Sequence, residues 1–107
     1  MNTEKVMREL GINGTYLGFH YLVDAVNFVN EDENYLISLC SRLYPAIAKR
    51  HRTSPENVER NIRTVIAVCW KRGNRSRLNK MFGHTLRQKP SSGEFIDALY
   101  AYSKMSD

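Results

Sequence analysis

The stretch that most constrains this chain is TSPENVERNIRTVIAVCWKRG, Thr53 to Gly73. It opens on two helix-start signals one residue apart: Thr53 with Glu56 as a capping box, and Ser54 followed by Pro55 at the first helical position. It closes on Gly73, directly after Arg72. At about 100° per residue, Val58, Ile62, Val65 and Cys69 fall on one face, with Ile66 at its edge. Glu56, Arg60, Arg63 and Ala67 fall on the opposite face, with Glu59 to one side. A helix of this kind must bury one side against other elements, while the other side presents two guanidinium groups one turn apart.

The rest of the chain reads as helix as well, with no sustained alternation to indicate a strand. Thr3 is expected to cap a short first helix carrying Val6, Met7 and Leu10. A second runs from about Thr15 to Asn30, apolar enough to be buried on more than one side. A third runs from about Glu33 to Arg50, with a kink or break at Pro45. The fourth is the stretch above. Asn74 caps a fifth that ends at Phe82-Gly83. Ser91 with Glu94 forms a capping box for a last helix bearing Phe95, Ile96, Leu99 and Tyr100. The expectation is an all-α, compact six-helix domain spanning 1–107, with a helix-turn-helix over about 34–72.

Charge narrows the function. The net charge is +5, but residues 42–89 alone carry thirteen Lys and Arg against Glu56 and Glu59, a net of +11. The segments on either side are net acidic. One contiguous block of positive charge favours a polyanion, most often nucleic acid. No apolar run approaches a membrane span, and the polar start MNTEKVMREL is not a signal peptide. Cys40 and Cys69 lie in apolar stretches and read as buried thiols of a reducing, cytoplasmic setting. His20, His51 and His84 show no spacing with the cysteines that suits a metal, and no polar groups converge for catalysis. No enzyme activity and no cofactor are expected. His51, in the basic turn, reads as a phosphate contact or as exposed.

The helix before the fourth ends in AIAKRH. Ala46 and Ala48 leave room for close helix approach, and the spaced aliphatics Val58 and Ile62 follow a short turn, as in a helix-turn-helix. Arg52 stands where such turns often place Gly or Asn to accept positive φ. Arg60 and Arg63 then fall near the start of a recognition helix. The contrasting reading is a protein–protein module that binds an acidic partner through the basic 71–80 segment.

The blocks LYPAIAKR (43–50), VERNIR (58–63), Trp70 to Asn74, FGHT (82–85) and KPSSGEFI (89–96) resemble, in order and spacing, the C-terminal effector domain of the stage-zero sporulation response regulator family. The resemblance covers nearly the whole chain. It implies a six-helix DNA-binding domain of a transcription regulator, reading boxes of the TGTCGAA type on double-stranded DNA, often as head-to-tail pairs on tandem sites. It also implies that Glu59, Arg60 and Arg63 contact bases. The chemistry agrees: Arg suits guanine O6 and N7, and a carboxylate accepts from cytosine N4. Lys49, Arg50, Arg52, Thr64, Lys71, Arg72 and Arg75 flank that helix and are the expected backbone contacts. The fifth-helix region implies contact with the RNA polymerase sigma subunit. Here it is strongly basic, through Arg75, Arg77 and Lys80, which bears on the activator role more than on DNA binding. Other departures are His51 for the family's turn aromatic, Arg52 for its turn Asn, and Thr64 for its His. No phosphoacceptor aspartate of a receiver domain can be assigned.

Overall fold

The computed structural model describes residues 2–105. The helices are α1 (Thr3–Glu9), α2 (Leu17–Glu31), α3 (Tyr44–His51), α4 (Pro55–Arg72), α5 (Arg75–Phe82) and α6 (Ser92–Met105). The described residues contain no strand, so the six-helix, all-α expectation holds. Among the described residues no helix is long and apolar enough to cross a membrane.

The helix α2 is central, in contact with α1, α3, α4 and α6. Phe19, Tyr21, Leu22, Ala25, Val26 and Val29 are all buried, so its dense apolar pattern does serve several neighbours at once. The core also takes Val58, Ile62, Val65, Ile66 and Cys69 from α4 and Phe95, Ile96 and Leu99 from α6. Burial of these side chains, each worth about 1.5–3 kcal/mol, is the main force holding the helices together.

Several boundaries differ from expectation. The α1 cap is Asn2, whose side chain accepts from Glu4 N at 2.8 Å, and Thr3 is the first helical residue. At α4 the Ser54 signal prevails: its hydroxyl accepts from Asn57 N at 3.1 Å. Thr53 instead accepts from the Asn57 side chain at 2.9 Å. Asn74 caps α5 as expected. The Ser91–Glu94 capping box forms both ways, with Ser91 N donating to Glu94 at 2.9 Å and Glu94 N to Ser91 at 3.2 Å. Those bonds from Ser91 hold the Glu94 carboxyl below the usual carboxylate range.

The largest difference lies between residues 33 and 50. In place of one helix kinked or broken at Pro45 there is a 3₁₀ turn (Glu33–Ile37), a wide π turn (Leu39–Leu43) and then α3. Pro45, in the first turn of α3, has no N–H to offer the carbonyl four residues back, and its ring crowds that carbonyl. Just upstream the turn is wider: Ser38 O accepts from Arg42 N at 2.9 Å and also from Leu43 N at 3.1 Å, five residues on. Such π turns relieve a strained ladder. The rearrangement leaves Cys40 exposed rather than buried. Cys69 is buried as expected, and that burial pushes its thiol up to about 11, so it stays neutral and inert.

Candidate nucleic-acid interface

Ser54 and Pro55 start α4 at the end nearest the turn, and the outward residues fall within its first three turns. Arg60 and Arg63 are exposed, opposite the buried Val58, Ile62, Val65 and Cys69. Glu59 lies beside them and pairs with Arg63 at 3.2 Å across one helical turn. The structure thus brings together all three residues expected to read bases. Thr64 is exposed too, its hydroxyl donating to Arg60 O at 2.9 Å.

The turn before α4 has the left-handed geometry that its sequence made costly. Arg52 sits at φ 55°, ψ 47°, a conformation that costs a non-glycine residue roughly 1–2 kcal/mol. It is held there by Thr53 N donating to Ala48 O at 3.0 Å and by an anchor one residue upstream. His51 Nε2 is hydrogen-bonded to the Asp24 carboxylate, and the ring meets Tyr21 edge-on at 5.0 Å. Arg50 Nε lies 3.6 Å from the same carboxylate. Asp24 comes from the middle of α2 and is buried. It therefore ties the end of α3 to the central helix. His51 is exposed, as expected, and is also bound to protein.

Sequence reasoning missed Asp24. The signal that could have found it was a carboxylate inside the apolar run LVDAV, where an unpaired charge would be costly. Asp24→Ala removes a partner from both Arg50 and His51. Because both can still reach water, the expected destabilisation is moderate, about 1–2 kcal/mol. A denaturant midpoint equal to that of the unaltered protein would show that the anchor contributes nothing.

The flanking cations fall into two groups. Lys49, Arg52, Lys71 and Arg72 are exposed and have no ion pair among the described residues. Arg50 is drawn towards Asp24. Arg75 stacks on Trp70, 3.4 Å from the ring centroid, and donates to Trp70 O at 2.6 Å. Arg77 pairs with Glu9 at 3.2 Å. Lys71 and Arg72 sit at the far end of α4, roughly 15 Å or more along the axis from Arg60 at 1.5 Å per residue, and Arg75 opens α5 just beyond it. Lys49 and Arg52 lie at the near end, so the expected backbone contacts bracket the outward face of α4.

A second group of residues borders that face. Burial pushes the Tyr44 phenol up, a hydrogen bond with Ser92 opposes this, and the Glu59 carboxylate disfavours the ionised form further. Tyr44, Cys40, Pro55, Glu56 and Glu59 line one shallow surface depression. Ser92, at the N-terminus of α6, lies beside Tyr44, and α6 packs against α4. The sequence model of the family described as "Sporulation initiation factor Spo0A C terminal" matches residues 3–102, nearly the whole chain. The chain therefore belongs to that family, a DNA-binding sporulation-regulator domain.

Proposed function

We propose that this protein is a sequence-specific transcription regulator that inserts α4 into the major groove of a TGTCGAA-type box, acting in the cytoplasm on double-stranded DNA. The observation that carries this reading is the outward face of α4. Arg60 and Arg63 stand opposite a fully buried stripe, at the helix start, inside the +11 block. Glu59 joins them as acceptor for cytosine N4, and the two arginines pair with guanine. Lys49, Arg50, Arg52, Thr64, Lys71, Arg72 and Arg75 supply phosphate contacts on either side, which fix register without reading sequence.

Two copies bind tandem boxes head to tail. In such an arrangement the two contacting surfaces differ. DNA holds the copies at high effective concentration, so weak contacts suffice for cooperativity. The sigma subunit of RNA polymerase is the further partner. In the contrasting idea an acidic protein docks on the 71–80 segment; there Arg75 and Arg77 are already engaged within the chain, which leaves Lys71, Arg72 and Lys80 to hold it.

The test is a gel-shift series on duplexes with and without the tandem box, at several salt concentrations. If about five phosphates are neutralised, log K should fall against log salt with a slope of about −4 to −5. A flat salt dependence, or equal affinity for box and random DNA, would overturn the reading.

A further inference from the structure

The loop between α5 and α6 is basic, firmly held and unused by the interface above. Gly83 turns the chain out of α5 with φ 79°. Leu86 N donates to the Asn79 side chain at 2.9 Å, tying the middle of the loop back to α5. Leu86 packs against the core, and Pro90 is buried at the other end. The reciprocal Ser91–Glu94 bonds then fix the entry to α6. Three exposed residues, Arg87, Gln88 and Lys89, project between these fixed points. Neither cation has an ion pair among the described residues. The neighbouring carboxylate, Glu94, already accepts from Ser91.

The position of the loop relative to α4 follows from what its end touches. Ser92 lies close enough to Tyr44 to act on its phenol, and Tyr44 shares a surface depression with Pro55, Glu56 and Glu59. A Cβ on Gly93 would meet Leu39 Cδ1 at 3.0 Å, so this end of α6 is also pressed onto the turn before α3. The loop therefore emerges beside the first turns of α4, on the Glu59 side. Lys49 and Arg52 lie at the other approach to that helix, across the α3–α4 turn.

We propose that Arg87 and Lys89 form a second anchor for the DNA backbone, gripping phosphates beside the groove that receives α4, on its Glu59 flank. The proposal rests on the DNA-binding reading above and adds a contact surface to it. Phosphate is the chemistry that fits. Two long cationic side chains separated by Gln88, on a short tether, carry charge to a backbone, whereas base readout needs side chains held on a rigid element. An anchor here would fix the angle at which α4 enters the groove, because it acts on a different element from the α3–α4 turn.

Arg87→Ala with Lys89→Ala, combined in the full chain, tests this against the unaltered protein. Both side chains are exposed, so the thermal midpoint should not move, and that control is measured first. On a long duplex the salt slope should shrink by about 1 to 2, and affinity near 0.1 M salt should drop about tenfold or more. The loss should be the same on box and random DNA, leaving their ratio unchanged. On a duplex trimmed to end at the box on the Glu59 flank, variant and unaltered protein should bind alike. Unchanged affinity and slope on every duplex would overturn the anchor. So would loss of box preference, which would make the loop a base reader, or an equal loss on trimmed and long duplexes, which would make its charge a remote field. If the unaltered protein itself shows no salt-sensitive DNA binding, the broader DNA reading fails, and this result is distinct from the others.

Discussion

Gly18→Ala should lower the stability of the domain by about 2–3 kcal/mol, an effect far larger than its single added methyl suggests. Gly18 lies in the first turn of α2 and is buried against α4. A Cβ built there would stand 2.3 Å from Asn61 O, 2.9 Å from Asn61 C and 2.8 Å from Val65 Cγ2. Two of those three atoms are backbone and cannot rotate aside. The helices must separate instead, and overpacking of this kind typically costs 1–3 kcal/mol, occasionally more. Alanine's better helix propensity returns only about 0.5–1 kcal/mol. For a domain of this size, 1 kcal/mol corresponds to roughly 4–8 °C, so the thermal midpoint should fall by about 10 °C or more. A midpoint that holds or rises would show that α2 and α4 can part without cost.

The same crossing links stability to function. Asn61 lies on the helix that carries Arg60 and Arg63, so pushing α2 away from Asn61 moves the face proposed to read DNA. Asp24, six residues beyond Gly18 on the same helix, holds the end of α3 through His51 and Arg50. One buried element thus sets the position of both α3 and α4, by steric fit at one point and by a carboxylate at another. Gly18→Ala should accordingly weaken DNA binding even under conditions where the variant is fully folded.

Much of this was readable from local signals, and the reasons for the exceptions are physical. The α4 pattern was legible because a strong apolar stripe, an N-cap and a terminal glycine agree on one helix. Asn74 and the Ser91–Glu94 box were legible because caps act over three residues. The 33–50 segment was not, since its apolar spacing runs continuously through Ser38 and Pro45. There the missing proline N–H reshapes the turn upstream, and the contact of Leu39 with Gly93 on α6 lies far away in sequence. Cys40 misled for the same reason: an apolar neighbourhood implies burial only if the helix keeps its phase. Asp24 bonds a residue 27 positions away, which no local pattern encodes. Arg75 stacks on Trp70 across a helix break, where helical spacing ceases to predict neighbours. The outward position of Arg60 and Arg63, by contrast, needed only the wheel.

Arg60→Ala and Arg63→Ala should each weaken binding to the specific box by about 1–3 kcal/mol, roughly five- to 150-fold, with little change on random DNA. Both side chains are exposed and make no contact with the core, so the folded state should be unaffected. The two arginines should nevertheless respond differently to changes around them. Arg63 is held at 3.2 Å by Glu59, whereas Arg60 has no ion pair among the described residues. An exposed pair one turn apart stabilises a helix by only about 0.3–0.5 kcal/mol, so its main effect is to orient the Arg63 guanidinium. Glu59→Ala should therefore leave the thermal midpoint nearly unchanged while relaxing discrimination at cytosine and loosening the Arg63 contact. Its effect and that of Arg63→Ala should then be non-additive, whereas Glu59→Ala with Arg60→Ala should be closer to additive. Arg63→Lys should not restore the box preference, because an ammonium cannot make the forked contact to guanine O6 and N7. Affinities measured on box and random duplexes at one fixed salt concentration decide the matter. If Arg60→Ala and Arg63→Ala lose equally on both duplexes, these arginines hold phosphates and sequence is read elsewhere.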